Sequence, residues 1–503
     1  MTALSLRLVD ARWREAWLLA AVVILAAALR LQEYDRLSFW FDEAATVHFA
    51  RMAPWELWGR DTHPPLYYLL IHFWLLLGDS EWWLRLFSLL VSLGTLVAVY
   101  VAGRALGGPR LGLLVTLLLA VAGFELRFAQ EARMYALLCA SVALALSGLV
   151  PLLADPAAAA SVASRWCWRR YVVGSVLAVY SHNMGVLWPL AATGAALLVF
   201  WPTVQRPALS RRWLKVNLLV LLLWCPYWPW LLHQASVVLS DFHLSQPTAH
   251  RLFRDLAWIH LGIRQPEDLW ELLGVALGLV PLALGLCTLR ARLGGALLLL
   301  ALLPPVATLL WGSLFQPLYA NRILVWTALP SALAAAAGFD WLLRRGRSAR
   351  LLAALLLLAV LAARTASLQV YIPERQKADW RAVTLELAAT LPADATVVLS
   401  PGFEDFSWTY YKRRLAASEH PLQVRLVPLL VGRQAEAMAV LIERAPEQVT
   451  FILSRWFGPD RLIHDPQEFL ERTLGCAQLL ERREYMGIHL WRFATGAACA
   501  RTD

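Results

Sequence analysis

The sequence carries little charge for its length. Only 16% of its 503 residues are Asp, Glu, Lys or Arg, whereas 59% are hydrophobic and the mean hydropathy is +0.53. Soluble globular domains usually contain about 25% charged residues. This composition excludes a protein that is soluble over its whole length and predicts an integral membrane protein.

The chain also lacks the signatures of several other protein classes. It has only six cysteines, and no Cys/His spacing is typical of a zinc site. The C-terminal region has no Gly-rich phosphate loop and no nucleophile motif. The formal net charge of +10 comes from Arg clusters between apolar runs, not from one continuous basic face. Membrane topology therefore explains the positive charge, and we expect no nucleic-acid partner.

Apolar runs that suit a bilayer core of about 30 Å recur through the first 366 residues. We predict eleven transmembrane helices, near residues 16–31, 82–103, 111–124, 135–152, 171–181, 186–202, 216–232, 271–289, 294–312, 323–342 and 350–366. With the N-terminus in the cytoplasm, the Arg-rich loops all fall on the inner side, as the positive-inside rule requires. The first run resembles a signal peptide, but the many spans that follow favour an uncleaved helix.

One further apolar segment, residues 66–78, is too short to span comfortably. If it did span, Arg104, Arg110 and the Arg cluster at 206–215 would fall on the outer side. We therefore predict an interfacial or re-entrant helix within one long outer loop, residues 32–80. This loop belongs to the predicted transmembrane module, residues 1–366.

After residue 366 the composition becomes that of a soluble domain. Residues 367–503 are predicted to form a small extracytoplasmic α/β domain, with a helix at 378–391 and strands at 396–400, 423–429 and 449–454. Cys476 and Cys499 both fall in this domain. An oxidising compartment allows them to form a disulfide, but the sequence alone does not decide it.

Most of the distinctive polar residues fall on the predicted outer side of the membrane. Asp42 and Glu43 follow the first helix, and Asp61 and His63 precede the stiff Pro-Pro pair at 64–65. One interpretation is structural, with Asp42 as the cap of a helix that begins at Glu43. The other is functional, with Asp61 and His63 directed at the cavity that holds Asp42, where they bind a phosphate or a metal. Asp42, Asp61 and His63 are the candidate metal ligands.

A second group of polar residues lies between the third and fourth predicted spans. Arg127 and Arg133, at a membrane rim, suit a lipid-linked phosphate because guanidinium groups bind phosphate oxygens bidentately. Alternatively, Arg127 and Glu131 are four residues apart and form a structural pair on one helical face. At two further outer helix ends lie His182 with Asn183, and Tyr319 with Arg322. These pairs are also explained as helix-end polar groups and as an arginine that snorkels.

An ordered series of segments resembles the bacterial membrane glycosyltransferases of the GT-C class, relatives of the protein O-mannosyltransferases and of the lipid A aminoarabinose transferase. The series comprises the Asp42-Glu43 pair, "HPPLYYLLIHFWLLLGDSEWWLRLFSLL", "RFAQEARMYALL", "YSHNMG" and "KADWRAV". The resemblance implies an all-α polytopic fold whose first outer loop roofs the active site. It also implies a polyprenyl-phosphate sugar donor and inversion at the anomeric carbon. By position, Asp42 matches the base or acceptor-positioning acid, Glu43 matches its partner, and His63 belongs to the His-Pro-Pro motif of the mannosyltransferases.

The sequence departs from these relatives in three places. No large β-trefoil insertion like that of the eukaryotic mannosyltransferases is visible, which weakens the case for a protein acceptor. The aminoarabinose enzymes have Lys-Pro-Pro where this chain has His63, so their metal and donor details do not transfer. Relatives often have an adjacent Arg-Tyr before a late span, whereas here the order is Tyr319-Ala-Asn-Arg322.

The expected function is transfer of a sugar from a polyprenyl-phosphate donor to a glycan, lipid or protein acceptor, outside the cytoplasmic (inner) membrane. Asp42 and Glu43 are the expected catalytic residues, and a divalent metal ion is left open as a cofactor. The expected phosphate-binding residues are His63, Arg127, Glu131, Arg133 and Arg322, supported by Asp61, His182, Asn183 and Tyr319. The alternatives are a transporter or flippase for a lipid-linked solute, and an inactive scaffold. Transporters usually place their charges near the bilayer midplane, whereas here the charges lie at one rim.

Overall fold

The computed structural model describes residues 3–58, 60–203, 205–241, 245–265, 267–392, 395–402, 405–415, 424–429, 434–454, 465–495 and 499, without the side chains of 3–11 and 235–241. The chain divides into two compact units. The first unit comprises Met1–Tyr34 and Ala53–Glu374, and the second comprises Asp35–Met52 and Arg375–Asp503. The division after Glu374 falls eight residues beyond the boundary expected from the sequence. In addition, part of the first outer loop belongs to the second unit.

The described secondary structure of the first unit is helical. After α1 (Ala3–Arg30) the chain forms α2 (Phe41–Ala50), which belongs to the second unit. The first unit then continues with α3 (Leu66–Trp74), α4 (Glu81–Gly107), α5 (Pro109–Ala120), α6 (Gly123–Ala129), α7 (Tyr135–Ala154), α8 (Pro156–Ala159), α9 (Arg165–Ser181), α10 (Leu187–Phe200), α11 (Arg206–Trp224), α12 (Trp228–Asp241), α13 (Ala249–Leu256), α14 (Leu269–Thr288), α15 (Ala291–Leu314), α16 (Ala328–Leu343) and α17 (Arg347–Glu374).

Within the described residues, eight helical segments are long and apolar enough to cross a membrane. They number nine if α5 and α6, which are bent by 68° at a short break, form one span. Helices occupy all eleven predicted places, but α1 and α9 do not meet the same criterion, so the count of eleven is not confirmed. Helix α9 has only 17 residues, and three of them are arginines. The prediction of a multi-pass membrane protein is confirmed.

The short segment after the Pro-Pro pair forms α3, which has nine residues. At a rise of about 1.5 Å per residue, a helix of this length covers less than half of a bilayer core. The structure thus agrees with the prediction that this segment does not span.

Close helix packing organises the first unit. A Cβ atom on Gly148 of α7 would overlap the carbonyl oxygen of Cys167, and one on Gly174 of α9 would overlap the backbone of Ala145. In a membrane no hydrophobic driving force brings helices together, because lipid tails are as apolar as the side chains. Small residues such as these glycines instead allow the two backbones to approach closely. The contact positions α7 and α9, whose ends carry Tyr135 and His182.

A buried arginine connects the C-terminal end of α1 to its neighbours. The Nε atom of Arg30 donates to Ser92 Oγ at 2.9 Å, and its Nη1 donates to the Ala120 carbonyl oxygen at 3.1 Å. Gln130 Nε2 in turn donates to the carbonyl oxygens of Arg30, at 2.7 Å, and of Gln32, at 2.9 Å. These bonds satisfy buried polar groups and fix the loop that carries Arg133.

The second unit contains a five-stranded sheet in the order β2-β1-β3-β5-β4. Its elements are α2, α18 (Trp380–Thr390), β1 (Thr396–Ser400), α19 (Asp405–Leu415), β2 (Arg425–Pro428), α20 (Gln434–Arg444), β3 (Gln448–Ser454), α21 (Pro466–Leu474), β4 (Ala477–Tyr485) and β5 (Ile488–Thr495). Strand β1 pairs in parallel with β2 and with β3, while β5 pairs antiparallel with β3 and β4. The predicted α/β domain and its first three strands are confirmed. The hairpin of β4 and β5 was not predicted.

One hydrophobic cluster of the second unit packs against its sheet. Val398, Phe451 and Phe493 are buried there with Leu441 and Leu470 from two helices. Cys476 and Cys499 form a disulfide. The prediction that these cysteines are placed to bridge therefore agrees with the structure.

Glycine at the crossing of α7 and α9 provides a test of this packing. We expect Gly148→Ala to lower the free energy of unfolding by about 1–3 kcal/mol, because the added methyl group overpacks a backbone contact. Gly94→Ala on α4 is the matched control, because nothing lies within 4 Å of the added Cβ. Thermal unfolding in detergent measures both variants, and equal loss of stability in the two would contradict the close crossing.

Candidate functional site

Four of the predicted polar residues of the first unit meet with Tyr68 in a group that we call the Asp61 cluster: Asp61, His63, Tyr68, Arg133 and His182. His63 Nδ1 lies 3.0 Å from Asp61 Oδ2. The Tyr68 hydroxyl donates a short hydrogen bond to the same oxygen. Arg133 Nη1 donates to that hydroxyl at 3.5 Å. The cluster joins the loop before α3, the first turn of α3 and the loop before α7.

The loop that carries Asp61 is held by its backbone. Gln234 Nε2 donates to the Asp61 carbonyl oxygen at 2.5 Å, and Asn183 Nδ2 donates to that of Thr62 at 2.9 Å. The Tyr227 hydroxyl donates to Gln234 Oε1 at 2.7 Å and so orients the amide. Asn183 thus holds the loop that carries Asp61 and His63 through its backbone.

The ionisation of Asp61 follows from its surroundings. Burial alone raises the pKa of this carboxyl. The charge and hydrogen bond of His63, the charge of Arg133 and the hydrogen bond from Tyr68 outweigh burial and hold the pKa below its usual range. Asp61 is therefore a carboxylate at neutral pH.

His182 lies between α9 and the span that begins at Asn183, and it is buried. Burial, together with the positive charges of His63, Arg322 and Arg133, holds the pKa of His182 well below its usual range. Its Nδ1 atom accepts a hydrogen bond from the Met184 backbone N–H at 3.0 Å. The neutral ring therefore carries its proton on Nε2, which makes that atom a donor.

The two histidines stand close together, with ring centroids 5.0 Å apart and planes at 75°. The charges of Arg133 and Arg322 both act on His182, and Asp61 supplies one negative charge in return. Arg133 is buried. Such an excess of cationic groups at a partly buried site favours an anionic ligand.

Two other predicted residues lie nearby in the sequence but have different surroundings. The Arg127 guanidinium stands 5.6 Å from the Trp258 ring centroid and 5.4 Å from that of Phe128. Helix α6 ends at Ala129, so Arg127 and Glu131 do not share a helical face. Glu131 is buried, and no ion pair joins it to Arg127 in the described part of the chain. The predicted structural pair is therefore absent there.

Tyr319 belongs to a separate polar group. Its hydroxyl donates to Asp255 Oδ2 at 3.2 Å, and Asn321 Nδ2 donates to Asp255 Oδ1 at 2.8 Å. Arg251 lies 3.9 Å from the same carboxylate. Tyr319 therefore orients the buried carboxylate of Asp255. The charge of Arg322, three residues later, instead lowers the pKa of His182.

Asp42 and Glu43 belong to the second unit. Helix α2 begins at Phe41 and its N-cap is Trp40, so the prediction that Asp42 caps a helix from Glu43 is wrong. Both acids lie in the first turn, where negative charge complements the helix dipole. Asp42 is half-buried. Glu43 is fully buried, with its Oε2 atom 2.6 Å from Lys377 Nζ.

The candidate metal ligands do not form a site among the described residues. No group of three or more His, Cys, Asp or Glu side chains is placed there to hold a metal ion. In the first unit, Asp61 and His63 are bonded to each other, and Tyr68 uses the same carboxylate oxygen. A divalent ion as cofactor stays a prediction, and the mechanism proposed below uses none.

Several residues of these sites were not found by sequence reasoning. The "HPPLYY" segment offered a usable signal for Tyr68. A side chain in the first turn of α3 can reach back to the loop that precedes the helix. Gln234, Asp255 and Lys377 contact partners that are distant in the sequence, and the sequence offers no such signal for them.

The comparisons with known proteins bear on the fold. No protein-family model and no curated protein matches the sequence. Among solved structures, ArnT from Cupriavidus metallidurans in the apo state has a TM-score of 0.61 at 15% identity, covering 94% of this chain and 97% of that one. ArnT bound to undecaprenyl phosphate has a TM-score of 0.58 at 16% identity, covering 96% and 98%.

An archaeal oligosaccharyltransferase, AglB from Archaeoglobus fulgidus in complex with an inhibitory peptide and a dolichol-phosphate, has a TM-score of 0.54 at 12% identity. The match covers 88% of this chain and 69% of that one. At these identities the likeness establishes the fold, which is the fold of GT-C membrane glycosyltransferases. The resemblance noted in the sequence is therefore confirmed at that level.

The Tyr68 hydroxyl tests the Asp61 cluster. We expect Tyr68→Phe to lower the free energy of unfolding by about 1.5–3 kcal/mol, because it removes a hydrogen bond to a carboxylate. Tyr67→Phe is the matched control, since its hydroxyl lies 3.3 Å from the neutral Ser88 Oγ. In an Asp61→Asn background the cost of Tyr68→Phe should shrink. A double-mutant cycle in thermal unfolding measures this coupling, and additive costs would contradict it.

Proposed function

We propose that this chain is a glycosyltransferase that moves a sugar from a polyprenyl-phosphate-linked donor to an acceptor hydroxyl on the outer face of the cytoplasmic membrane. The observation that carries the proposal is the cationic Asp61 cluster within a GT-C fold. Its support is that one structural neighbour is bound to undecaprenyl phosphate and another to a dolichol-phosphate.

The cluster supplies the groups that a lipid phosphate requires. Arg133 and Arg322 provide guanidinium donors for the phosphate oxygens, and the neutral His182 offers its Nε2–H. Asp61 orients His63 through Nδ1, which directs the other ring nitrogen away from the carboxylate. We assign these residues to the donor phosphate. Arg127 and Glu131 remain proposed donor-site residues on their position in the sequence.

The proposed chemistry is a single displacement at the sugar. The acceptor oxygen forms a bond to C1 while the bond between C1 and the phosphate oxygen breaks, and the configuration at C1 inverts. The acceptor proton passes to the Asp42 carboxylate, and the polyprenyl phosphate leaves with the bonding electrons. Cationic groups at the phosphate stabilise the charge that develops on it. Asp42 holds this role because of its place in the Asp-Glu motif.

The outer location of the second unit is part of the proposal. The disulfide between Cys476 and Cys499 suits an oxidising compartment outside the cytoplasm. By the positive-inside rule, the Arg-rich loops of the first unit support a cytoplasmic N-terminus. We therefore propose that the reaction takes place on the extracytoplasmic side of the inner membrane, with a glycan, lipid or protein as acceptor.

Replacing the proposed base separates chemistry from binding. We expect Asp42→Asn to lower kcat by about 10²–10⁴-fold, because the amide does not accept the acceptor proton. Binding of undecaprenyl phosphate should stay unchanged. Release of undecaprenyl phosphate from donor lipid in native membranes, followed by mass spectrometry, measures turnover.

Glu56→Gln on the same loop is the control for Asp42→Asn and should retain turnover. Full activity of purified Asp42→Asn would remove Asp42 from the mechanism. Movement of an intact lipid-linked sugar across vesicles without transfer, by the wild-type chain, would favour a flippase.

Replacing the cationic groups tests the phosphate site. We expect Arg133→Met and Arg322→Met each to weaken binding of undecaprenyl phosphate by about tenfold or more, since each removes charge-assisted hydrogen bonds worth about 1.5–3 kcal/mol. The rise in melting temperature with added lipid measures the affinity. Arg264→Met is the matched control, because that guanidinium pairs with Glu374 at 2.5 Å. Unchanged lipid binding in both site variants would place the phosphate elsewhere.

A further inference from the structure

The acid next to the proposed base is engaged in a buried ion pair. Glu43 is 0% exposed, and its Oε2 atom lies 2.6 Å from Lys377 Nζ, whose side chain is 15% exposed. The same ammonium stands 6.0 Å from the centroid of the Trp40 ring. All three residues belong to the second unit. Glu43 is thus enclosed by protein, and Lys377 supplies a positive charge beside it.

This ion pair matters energetically because the loss of Lys377 would leave the buried Glu43 carboxylate without this counter-charge. A carboxylate removed from water is costly unless a counter-charge and hydrogen bonds replace the solvent. Without Lys377 the Glu43 carboxylate would either take up a proton or move towards water. Either change would disturb the first turn of α2, which also contains Asp42.

Two further bonds fix the residues just before α2. Ser38 Oγ donates to Asp379 Oδ1 at 2.6 Å, and the Phe39 backbone N–H donates to the Tyr411 hydroxyl at 2.6 Å. Asp379 also caps α18, where it accepts from the Ala382 backbone N–H at 3.2 Å. The approach to Asp42 is therefore bonded to α18 and α19, two helices of the C-terminal part.

Asp379, the N-cap of α18, is also hydrogen-bonded to the sheet. The Asp379 backbone N–H donates to the carbonyl oxygen of Met486 at 2.9 Å, at the turn between β4 and β5. A continuous set of hydrogen bonds therefore runs from this hairpin through Asp379 to Ser38. It complements the ion pair of Lys377 with Glu43.

We propose that Lys377 is a positioning residue that holds Asp42 in its working orientation through the buried ion pair with Glu43. The proposal rests on the role given to Asp42 in the proposed function. It gives Glu43 the task of orienting the first turn of α2, in place of direct contact with substrate. It also gives the C-terminal part, which has no nucleophile motif, a necessary part in turnover.

Kinetics of three variants distinguish positioning from direct catalysis. We expect Lys377→Met to lower kcat at least tenfold while KM for the donor lipid changes less than twofold. Lys377→Arg should restore most of kcat because it keeps the counter-charge. The double variant Lys377→Met with Glu43→Gln should recover kcat several-fold over Lys377→Met, since it leaves no unpaired buried charge.

Thermal unfolding of the same variants gives a readout that does not depend on the reaction. The single variants Lys377→Met and Glu43→Gln should each lower the melting temperature, and the double variant should lower it less than the sum. Arg472→Met is the control, because it removes a cation from an ion pair with Glu468 in which the side chains are 74% and 54% exposed. It should change neither stability nor kcat measurably.

The outcomes separate this proposal from the proposed function. Coupled unfolding with wild-type kcat in Lys377→Met would overturn the positioning role. Loss of kcat in Glu43→Gln without any recovery in the double variant would make Glu43 a direct participant and also overturn it. A wild-type chain that shows the unfolding coupling but transfers no sugar would overturn the proposed function itself, and with it the role of Lys377 in turnover.

Discussion

A charge enclosed by a membrane protein must find its partners within the protein, because neither lipid nor bulk water supplies them. Three buried ionised groups among the described residues meet that constraint in different ways. Arg30 hydrogen-bonds to α4 and α5, and Glu43 pairs with Lys377, both across long stretches of sequence. Asp61 instead bonds to His63 on its own loop and to Tyr68 in the first turn of α3.

The same constraint explains the chemistry of the Asp61 cluster. His182 stays neutral because burial, together with the electrostatic effect of His63, Arg322 and Arg133, opposes a further positive charge. Its hydrogen bond from Met184 then decides the tautomer. The group consequently combines permanent charges on Arg133 and Arg322 with a neutral donor, which suits an anion that gains charge during a reaction.

Sequence reasoning succeeded where local pattern determines structure. Hydropathy located the helices, and strand β1 coincides with the predicted residues 396–400. Strands β4 and β5 were missed, and β4 explains why: its side chains are largely exposed and charged, so it lacks a hydrophobic signal. The Pro-Pro pair correctly drew attention to Asp61 and His63, since it shapes the loop before α3.

Contacts between distant residues lay beyond what the sequence could predict. Gln234 reaches the Asp61 carbonyl across 173 residues, and Lys377 reaches Glu43 across 334. The local hydrophobic periodicity of a sequence carries no information on such pairs. For this reason Glu43 was expected to act with Asp42 in catalysis, whereas its contact with Lys377 supports a positioning role.

The aromatic run before the acids shows why the domain boundary was also difficult to predict. "FWF" at 39–41 followed an apolar helix and resembled the aromatic belt at its membrane end. In the structure the Phe39 ring lies 5.0 Å from that of Tyr410, and the Phe41 ring lies 5.5 Å from that of Phe406, both on α19. These rings bury apolar surface against α19, and residues 35–52 belong to the second unit. The segment that carries Asp42 therefore depends, for its fold, on residues more than 350 positions later in the chain.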